Sequence, residues 1–268
     1  EGDKALLCMS LGYIAGKMVV VRSLVAGLEL IPIAPCGHPL SGMKESPTFA
    51  AMIPMQVYNS LQVPEERTVL EGIKHLIIGG GAIDDGLANE LKHFPNNVWS
   101  TYGMTETLSH IALRRLNGDN ASDWYTPFDQ VHIRLSEEGT LVIHAPGVCA
   151  EELTTNDIAE INEKGEFRIL GRKDNVINSG GIKIQIEQVE ALLKPHLSTP
   201  FLITSTSDAK FGEAVVLLYE KGNEEELQAL CKAALPPYWM PKRFVQVEAI
   251  PLTETGKPNR PAARILAR

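Results

Sequence analysis

The sequence predicts an α/β fold, in which a large domain of mixed βαβ layers and short antiparallel strands precedes a small α+β domain. Apolar runs typical of strands alternate with helical periodicity as far as residue 102. Short strands separated by glycine turns follow from Val131, and strands and helices alternate again after Gly171. The chain of 268 residues also exceeds the usual size of one compact domain, which favours two domains.

The first predicted elements form a strand–helix–strand unit. Residues 5–9 are uniformly apolar and predict a buried strand, which ends before a turn at Gly12. A long apolar run through residues 18–22 then predicts a helix, and residues 28–32 predict a second strand. This order is typical of a mainly parallel sheet.

Two further strands of this sheet are predicted to end in polar or glycine-rich turns. Residues 74–81 predict a strand that ends in a glycine turn, residues 84–94 a helix opened by acidic residues, and residues 98–102 another strand. Ligands of such sheets bind beyond the carboxyl ends of the strands. Residues 79–82 and 102–106 are therefore predicted to border a binding site.

From residue 131 onwards the pattern changes to short alternating strands. Three such segments begin at Val131, Thr140 and Glu166, and glycine turns at Gly139 and Gly165 separate them. They predict an antiparallel subdomain at the end of the large domain.

The segment from residue 171 to residue 190 predicts the joint between the domains. Arg172 and Asp174 place opposite charges in a tight connection, and Gly180 and Gly181 permit backbone conformations that other residues avoid. An amphipathic helix follows the glycine pair. We expect a hinge beside an anion site here.

The predicted domains are therefore residues 1–173 and 174–268. The second is predicted to be a compact, mobile α+β unit. Its predicted elements are a helix over 185–193, strands over 200–204 and 214–220, a helix over 224–234 and a strand over 244–247. Its tail, residues 251–257, is a polar loop that presents Lys257.

Composition excludes several classes of function. A formal net charge of -8 argues against a protein whose main task is to neutralise nucleic-acid phosphates. No apolar run is long and charge-free enough to predict a membrane span. The 4 cysteines are scattered without metal-ligand spacing, which predicts reduced thiols in a cytoplasmic protein. A homo-oligomer remains compatible with this composition.

Two polar turns are candidate nucleotide contacts. The hydroxyl of Thr105 suits a phosphate, and the carboxylate of Glu106 suits a hard cation such as Mg²⁺. Spacing alone favours a simple capped strand-to-helix turn for the same residues, because such turns are common. Asp157 suits a ribose diol, and its alternative is an aspartate that only caps a turn.

Two cations are candidate substrate contacts. Lys257 lies in a loop too polar for a core, where its ammonium could stabilise charge that develops on a phosphate, or could merely aid solubility. Arg22 follows an apolar run, and a buried guanidinium is costly without an anion. Its partner could be a substrate carboxylate or an internal Asp or Glu, unless the side chain reaches solvent.

Five motifs taken together resemble the adenylate-forming superfamily, which includes acyl-CoA synthetases, peptide-synthetase adenylation domains and luciferases. Their order and spacing match over nearly the whole chain. The motifs are T-Y-G-M-T-E-T at 101–107, T-N-D at 155–157, G-R-K-D at 171–174, S-G-G-I-K-I at 179–184 and P-L-T-E-T-G-K at 251–257.

The resemblance implies an ATP-dependent acid–thiol ligase. A substrate carboxylate attacks the α-phosphate of ATP to give an acyl-adenylate and pyrophosphate, and the thiol of CoA then displaces AMP. The catalytic residues implied are Thr105 on a phosphate, Glu106 on Mg²⁺ and Lys257 on the adenylation transition state.

The same resemblance implies how the small domain and the cofactor contacts are arranged. Asp174 matches the hinge about which the small domain rotates between the two half-reactions. The residues implied to contact the nucleotide or CoA are Gly79, Gly80, Gly81, Ala82, Tyr102, Gly103, Asp157, Arg172, Gly180 and Gly181.

Residues 13–27 and 102–114 further resemble the o-succinylbenzoate–CoA ligases of menaquinone synthesis. This resemblance implies that Arg22 binds the distal succinyl carboxylate and that Ser109 and His110 line the acyl pocket. Two alternatives remain, namely a CoA ligase for another aryl or fatty acid and a catalytically silent module that binds a nucleotide or an acyl group.

The chain departs from the superfamily pattern at three points. Asn156 stands where the T-G-D motif has Gly, and Asn175 stands where a second Asp is frequent. The Ser/Thr/Gly-rich phosphate loop of the superfamily has no match in this sequence. We therefore expect a chain that is truncated at its N-terminus and has little ligase activity by itself.

Overall fold

The computed structural model of the chain describes residues 2–83, 85–253 and 256–268. These residues divide into two compact units. Unit 1 comprises Glu1–Ser136, Val142–Thr154 and Ile161–Arg168. Unit 2 comprises Glu137–Leu141, Thr155–Glu160 and Ile169–Arg268. The domain boundary that the sequence places before Asp174 stays a prediction.

Unit 1 is built on a seven-stranded sheet whose strand order is β2-β1-β3-β4-β5-β6-β7. The strands are β1 (Lys4–Leu7), β2 (Glu29–Pro32), β3 (Phe49–Met52), β4 (His75–Ile78), β5 (Asn97–Gly103), β6 (His110–Arg115) and β7 (Thr126–Pro127). The first five of these pair in parallel, and β6 pairs antiparallel with both β5 and β7. The α/β class and the mainly parallel sheet are as the sequence predicts.

Four helices connect the strands of this sheet. They are α1 (Ile14–Ala26), α2 (Pro54–Leu61), α3 (Pro64–Gly72) and α4 (Asp85–Leu91). Prolines open α2 and α3, because the fixed φ of proline suits the first turn and its missing N–H is not needed there. Gly27 ends α1 in the left-handed conformation. Asp84, where the sequence predicts that the fourth helix begins, lies outside the described residues.

Helices cover the two faces of the sheet with different residue sets, because alternate strand residues point to opposite faces. On one face, Leu6, Met52 and Ile78 belong to a buried cluster that includes residues of α2, α3 and α4. On the other face, Leu7 and Ala51 pack with Val19 of α1. This layering leaves the carboxyl ends of β4 and β5 free to carry the glycine and polar turns.

A four-stranded sheet follows in the order β11-β10-β9-β8. Its strands are β8 (His132–Leu135), β9 (Thr140–His144), β10 (Leu153–Ile161) and β11 (Phe167–Arg172). Gly139 and Gly165, with φ of 76° and 77°, occupy turns where the left-handed region favours glycine. Consecutive strands are neighbours, as expected for the short strands predicted here.

Unit 2 contains a five-stranded sheet and three helices. The strands are β12 (Val176–Ser179), β13 (Ile182–Gln185), β14 (Phe201–Asp208), β15 (Gly212–Tyr219) and β16 (Arg243–Gln246). Their order is β13-β12-β15-β14, and β16 pairs in parallel with β15. The helices are α5 (Ile186–Leu193), α6 (Glu224–Ala234) and α7 (Arg260–Leu266).

The glycine pair of unit 2 forms a tight hairpin that the sequence prediction did not include. Ser179 of β12 pairs with Ile182 of β13, so Gly180 and Gly181 are the two residues of the loop. Their φ angles of 59° and 83° suit a two-residue type I′ hairpin loop, which requires positive φ at both positions. Helix α5 therefore follows a second short strand and not the glycine pair directly.

The four cysteines are all free thiols, and they differ in their access to solvent. Burial raises the pKa of Cys8 to about 12 and that of Cys231 to about 11. Cys36 is exposed, and Cys149 is partly exposed. Among the helices of the described residues, none is both long enough and apolar enough to cross a membrane.

Candidate functional site

The glycine segment after β4 has an open surface at the carboxyl end of the sheet. A Cβ atom at Gly79 would overlap the hydroxyl of Thr101 on the adjacent strand β5. Gly80 has φ of 81°, a conformation that favours glycine. Gly80, Gly81 and Ala82 are exposed, so a flat ligand could approach this backbone closely.

The turn after β5 presents Thr105 and Glu106. It is a short 3-10 helix, Thr105–Thr107, in which the buried hydroxyl of Thr107 accepts from the backbone N–H of Met104 at 3.0 Å. The side chains of Thr105 and Glu106 are exposed. Strand β5 is thus followed by one capped 3-10 turn and then by strand β6, so the alternative of a simple capped turn stays open.

The same turn closes tightly at its base. Gly103 pairs with His110, and a Cβ atom at Gly103 would lie 2.9 Å from the backbone nitrogen of His110. Leu108 adopts φ of 59°, which costs about 1–3 kcal/mol for a residue with a side chain. This reversal brings Ser109 and His110 within reach of helix α1.

Arg22 of α1 meets both of these residues. Its guanidinium donates to the hydroxyl of Ser109, and its Nη2 lies 3.2 Å from Nδ1 of His110. Burial lowers the pKa of Arg22, and burial together with the charge of Arg22 lowers the pKa of His110 to about 4. The imidazole is therefore neutral at physiological pH, so its Nδ1 can accept a hydrogen bond from Arg22.

Within the described residues, no carboxylate lies within ion-pair distance of Arg22. Ser109 and neutral His110 accept hydrogen bonds, but they do not neutralise the guanidinium. The internal Asp or Glu that the sequence left open as a partner is thus not seen among these residues. A half-buried cation in this state is suited to an anionic ligand.

Tyr102 is held in an aromatic cluster beside this turn. Its ring centroid lies 5.0 Å from that of Phe167 and 5.9 Å from that of Tyr125. The hydroxyl of Tyr125 lies 2.7 Å from Oγ of Ser100. These contacts fix the end of β5 and hence the start of the turn that carries Glu106.

A cavity of about 490 Å³ lies at the amino ends of strands β3 and β4. Phe49 and His75, the first residues of β3 and β4, line it together with Val21 and Val25 of α1. Arg22 also borders this cavity, whose lining is mainly apolar. The cavity is separate from residues 79–82, which follow the opposite ends of the strands.

In unit 2, three candidate residues form one charged network. Nη1 of Arg172 donates to Oδ1 of Asp157 at 3.1 Å, and Nη2 donates to Oδ2 of Asp174 at 2.9 Å. Asn156 donates to the same Oδ2 at 3.2 Å. Asp157 is 14% exposed in its side chain, whereas Arg172 is 49% exposed, so the network can be reached from solvent.

The Lys257 loop is held by its own backbone. The N–H of Lys257 donates to the hydroxyl of Thr253 at 3.1 Å, and its carbonyl accepts from the N–H of Thr253 at 2.7 Å. Leu252 and Pro258 form a β-bridge at the base of the loop. The side chain of Lys257 is exposed. Glu254 and Thr255, which belong to the predicted tail, lie outside the described residues.

Contacts with Phe211 hold the glycine turn of unit 2 in place. The N–H of Gly180 donates to the carbonyl of Phe211 at 2.8 Å, and the ring of Phe211 lies where a Cβ atom of Gly180 would project. Gly180 and Gly181 are exposed. The turn therefore offers backbone to a ligand without an obstructing side chain.

Most of the predicted residues thus assemble into three local groups. Unit 1 brings residues 79–82 and 102–106 to the carboxyl ends of the adjacent strands β4 and β5, and it separately joins Arg22 to Ser109 and His110. Unit 2 joins Asp157, Arg172 and Asp174. The roles that the motif resemblance implies for these residues stay predictions.

Sequence reasoning missed the residues that support these groups. Thr107 and Thr253 hold the two turns, and Asn156 contacts Asp174. The two threonines lie inside the motifs at 101–107 and 251–257, so their position in the sequence could have identified them. The contact of Asn156 joins residues that are 18 positions apart, so spacing gave no sign of it.

Glu106 fits a role as a Mg²⁺ ligand. Its carboxylate is exposed and has no hydrogen-bond partner in the part of the chain that the structure describes. The same residues contain no cluster of three or more His, Cys, Asp or Glu that could hold a metal by protein ligands alone. Mg²⁺ commonly takes one or two carboxylates and completes its shell with phosphate oxygens and water, so one exposed carboxylate is compatible with it.

Comparison with protein families decides the assignment. Residues 1–151 match the family described as AMP-binding enzyme, and residues 204–257 match the AMP-binding enzyme C-terminal domain. The chain belongs to the AMP-binding enzyme family. This membership confirms the adenylate-forming superfamily that the five sequence motifs predict.

Relatives of this AMP-binding enzyme include 2-succinylbenzoate–CoA ligases. The chain is 24% identical over 292 residues to the 2-succinylbenzoate–CoA ligase of Bacillus cereus (strain ATCC 10987 / NRS 248), and the match covers 96% of the chain and 60% of that ligase. The chain thus spans about 60% of the length of the curated o-succinylbenzoate ligases it matches.

Solved structures resemble the chain over nearly its whole length. A protein from Dyadobacter fermentans DSM 18053, described as an acyl-CoA synthetase (AMP-forming)/AMP-acid ligase II-like protein, is 33% identical, with a TM-score of 0.62 and coverage of 97% of this chain and 77% of that one. The o-succinylbenzoate CoA synthetase of Bacillus subtilis, solved with the acyl-adenylate OSB-AMP, is 21% identical, with a TM-score of 0.79 and coverage of 97% and 60%. The latter likeness shows the fold alone.

Proposed function

We propose that the protein is an ATP-dependent acid–thiol ligase that forms an acyl-CoA through an acyl-adenylate, with o-succinylbenzoate as the acid. Membership of the AMP-binding enzyme family supports the reaction type. One observation carries the choice of acid, namely the guanidinium of Arg22 bonded to Ser109 and neutral His110 without a carboxylate among the described residues. A substrate with a second carboxylate would supply the missing negative charge.

The chemistry requires activation of the reacting carboxylate. Its oxygen is a poor leaving group, so a thiol cannot displace it directly. Attack on the α-phosphate of ATP converts that oxygen into part of AMP and releases pyrophosphate. The sulfur of CoA then forms a bond to the acyl carbon, the bond from that carbon to the AMP oxygen breaks, and the thiol proton is lost.

Unit 1 would hold the base and the phosphates. The glycine segment 79–82, which is exposed at residues 80–82, suits the face of adenine, and the hydroxyl of Thr105 suits a phosphate oxygen. Glu106 would hold Mg²⁺, which compensates phosphate charge when it is bound. The rigid closure of the turn at Gly103 keeps both side chains beside the end of β5.

Unit 2 would bind the ribose and supply the catalytic cation. Asp157 can accept hydrogen bonds from both ribose hydroxyls, and Arg172 already orients its carboxylate. Lys257 would stabilise the charge on the phosphate during adenylation. Rotation about Asp174 would then withdraw Lys257 and bring Gly180 and Gly181 to the thiol of CoA.

The acid site would use the Arg22 group directly. Two N–H donors of the guanidinium can bind the distal succinyl carboxylate side by side. His110 stays neutral and holds Arg22 through Nδ1, while Ser109 offers a hydroxyl to the same region. A fatty acid carries no second carboxylate and would leave this cation without a partner. We place the reaction in the cytoplasm and in menaquinone synthesis.

The proposal is tested by ATP–pyrophosphate exchange with the full-length protein. Exchange should depend on o-succinylbenzoate and exceed the exchange seen with benzoate or octanoate. Exchange that prefers benzoate or octanoate would support a ligase for another acid and refute the choice of o-succinylbenzoate. Binding of AMP without exchange for any of the three acids would instead indicate the catalytically silent module.

A further inference from the structure

Arg260 and Glu190 form an enclosed ion pair inside unit 2. Nη1 and Nη2 of Arg260 donate to the two carboxylate oxygens of Glu190 at 2.6 and 2.7 Å. Nη1 also donates to the carbonyl of Ile203 at 2.9 Å, and the N–H of Ile203 donates to Glu190 at 2.9 Å. Both charged side chains are only 21% exposed. This two-pronged geometry fixes α7 to α5 and β14 in one orientation.

The Arg260 end of this contact is joined rigidly to Lys257. Only two residues separate them, and the backbone of each is held. Pro258 forms a β-bridge with Leu252. The N–H of Asn259 donates to the carbonyl of Pro251 at 2.9 Å, and its side chain caps α7 at Ala262 with a distance of 3.1 Å. A shift of Arg260 would therefore move the backbone of the lysine loop.

The Glu190 end is joined to the predicted hinge. Glu187 lies one helical turn before Glu190 on α5, and its carboxylate accepts from the side-chain amides of Asn175 and Gln185. Nε2 of Gln185 also donates to the backbone carbonyl of Arg172 at 2.9 Å. Glu187 of α5 and Gln185, the residue that precedes the helix, are thus hydrogen-bonded to residues on the two sides of Asp174.

We infer that the Glu190–Arg260 ion pair positions Lys257 for adenylation by tying the lysine loop, through α5, to the segment that carries the hinge. The loop and α5 then turn as one body, together with the residues that follow Asp174, when the small domain rotates. The inference rests on the proposed function, in which Lys257 acts in the first half-reaction only. Glu190 and Arg260 are positioning residues, since neither is assigned a contact with the reacting atoms.

Separate measurement of the two half-reactions distinguishes a positioning role of this ion pair from a general contribution to stability. Glu190→Gln keeps the size of the side chain and an acceptor for Ile203, but it removes the charge and one acceptor for Arg260. A displacement of a catalytic group by about 1 Å can cost about a hundredfold in rate. The second half-reaction does not use Lys257, so it should keep its rate.

The experiment measures both half-reactions by rapid quench on the full-length protein. Formation of acyl-adenylate from ATP and o-succinylbenzoate should fall about tenfold to a hundredfold in Glu190→Gln, whereas the reaction of supplied acyl-adenylate with CoA should stay within about twofold of wild type. Arg260→Lys keeps the charge but loses the fork, so it should show the same split with a smaller loss. This second variant decides the matter if Glu190→Gln does not fold.

Arg243 provides the matched control. It donates to the carbonyls of Ala267 and Arg268 at 2.9 and 3.3 Å and so holds the other end of α7. Arg243→Gln should leave the ratio of the two rates as in wild type. Equal losses in both half-reactions, or no loss in either, would overturn the inference for Glu190 and Arg260. A wild-type protein that forms no acyl-adenylate from any acid would instead refute the proposed function itself.

Discussion

The guanidinium of Arg22 keeps its charge in a half-buried position where the neighbouring groups are Ser109 and a neutral imidazole. Such an arrangement costs folding free energy, because the cation loses water without gaining a counter-charge. A protein can recover that cost when an anionic ligand binds. We therefore expect the substrate to carry an anionic group that binds Arg22.

Removal of this cation should weaken binding of a diacid selectively. We expect Arg22→Ala to raise the KM for o-succinylbenzoate about tenfold to a hundredfold, since a hydrogen bond to a charged group contributes about 1.5–3 kcal/mol. The KM of Arg22→Lys should lie between those of wild type and Arg22→Ala, because lysine keeps the positive charge but lacks the two-pronged donor geometry of the guanidinium. The KM for ATP should not change in either variant.

Arg134 serves as the control for loss of a positive charge. It lies on β8 and pairs with Glu152 at the surface at 2.8 Å. Arg134→Ala should leave the KM for the acid unchanged. An unchanged KM in Arg22→Ala would contradict the assignment of the acid site.

His110 should make stability depend on pH. Its pKa falls from 6.5 to about 4 in the folded chain, mainly because it is buried and also because Arg22 is close. The unfolded chain therefore binds more protons between these values, so the stabilisation is complete above about pH 6.5 and is lost as the pH falls towards about 4. Urea unfolding at neutral pH and at about pH 5 measures this loss.

A pair of histidine variants isolates the effect. His110→Asn should reduce the difference in unfolding free energy between the two pH values. His93→Gln, at an exposed position, should leave that difference as in wild type. If His110→Asn retained the full pH dependence, other groups would be responsible for it.

Most residues of the candidate site could be predicted because they lie in contiguous motifs. Their contacts could not, because they depend on chain reversals that no motif encodes. Arg22 and Ser109 are 87 residues apart, and they meet through a turn that contains Leu108 at positive φ. Hydrophobic patterning gives no signal for a leucine in that conformation.

Among the secondary-structure elements, the turn between β5 and β6 requires glycine at position 103. The pairing of Gly103 with His110 leaves no room for a methyl group, because the backbone of Ser109 and His110 occupies that space. Backbone cannot yield as a flexible side chain can. The strand pair must therefore open before any other residue can replace Gly103.

A glycine comparison tests this closure. Gly103→Ala should lower the free energy of unfolding by about 1–3 kcal/mol, as expected for overpacking against fixed atoms. Gly147→Ala should be nearly neutral, since a Cβ atom there would meet only Gln130 at 3.7 Å. Urea denaturation of both variants gives the comparison, and equal stability of the two would contradict the steric argument.

Elements with clear periodicity were predicted well, and short ones were not. The helix over 224–234 has the predicted bounds, and the strands at β4 and β5 lie where the sequence indicates them. The sequence did not show β3, α2, α3, β12, β13 or α7, which have four to nine residues each. Segments this short form because they pack on the rest of the unit and not through their own propensity.

At the scale of the whole molecule, the proposed reaction divides its chemistry between the units. The large AMP-binding region matches residues 1–151, and the C-terminal family domain matches residues 204–257. The sequence motifs occur in the same order along the chain, so the order of the two regions could be predicted from them. They could not fix the boundary between the units, since strands β9 and β10 each contribute residues to both.

Loss of Lys257 should separate the two half-reactions completely. We expect Lys257→Ala to slow formation of acyl-adenylate by about a hundredfold to a thousandfold, the range typical of a lost electrostatic contact to a transition state. Thioester formation from supplied acyl-adenylate should remain. Lys164→Ala, at an exposed turn, should alter neither rate. A loss of both rates in Lys257→Ala would contradict the assigned role.

The uneven access of the cysteines offers a way to watch the proposed rotation. Cys8 and Cys231 are buried, and their raised pKa values keep them as unreactive thiols under mild labelling conditions. With Cys149 changed to Ser, the exposed thiol of Cys36 becomes the preferred attachment point for a maleimide dye in unit 1. One added cysteine on the exposed face of α6 would complete a donor–acceptor pair for single-molecule fluorescence, in which each half-reaction should have its own transfer efficiency.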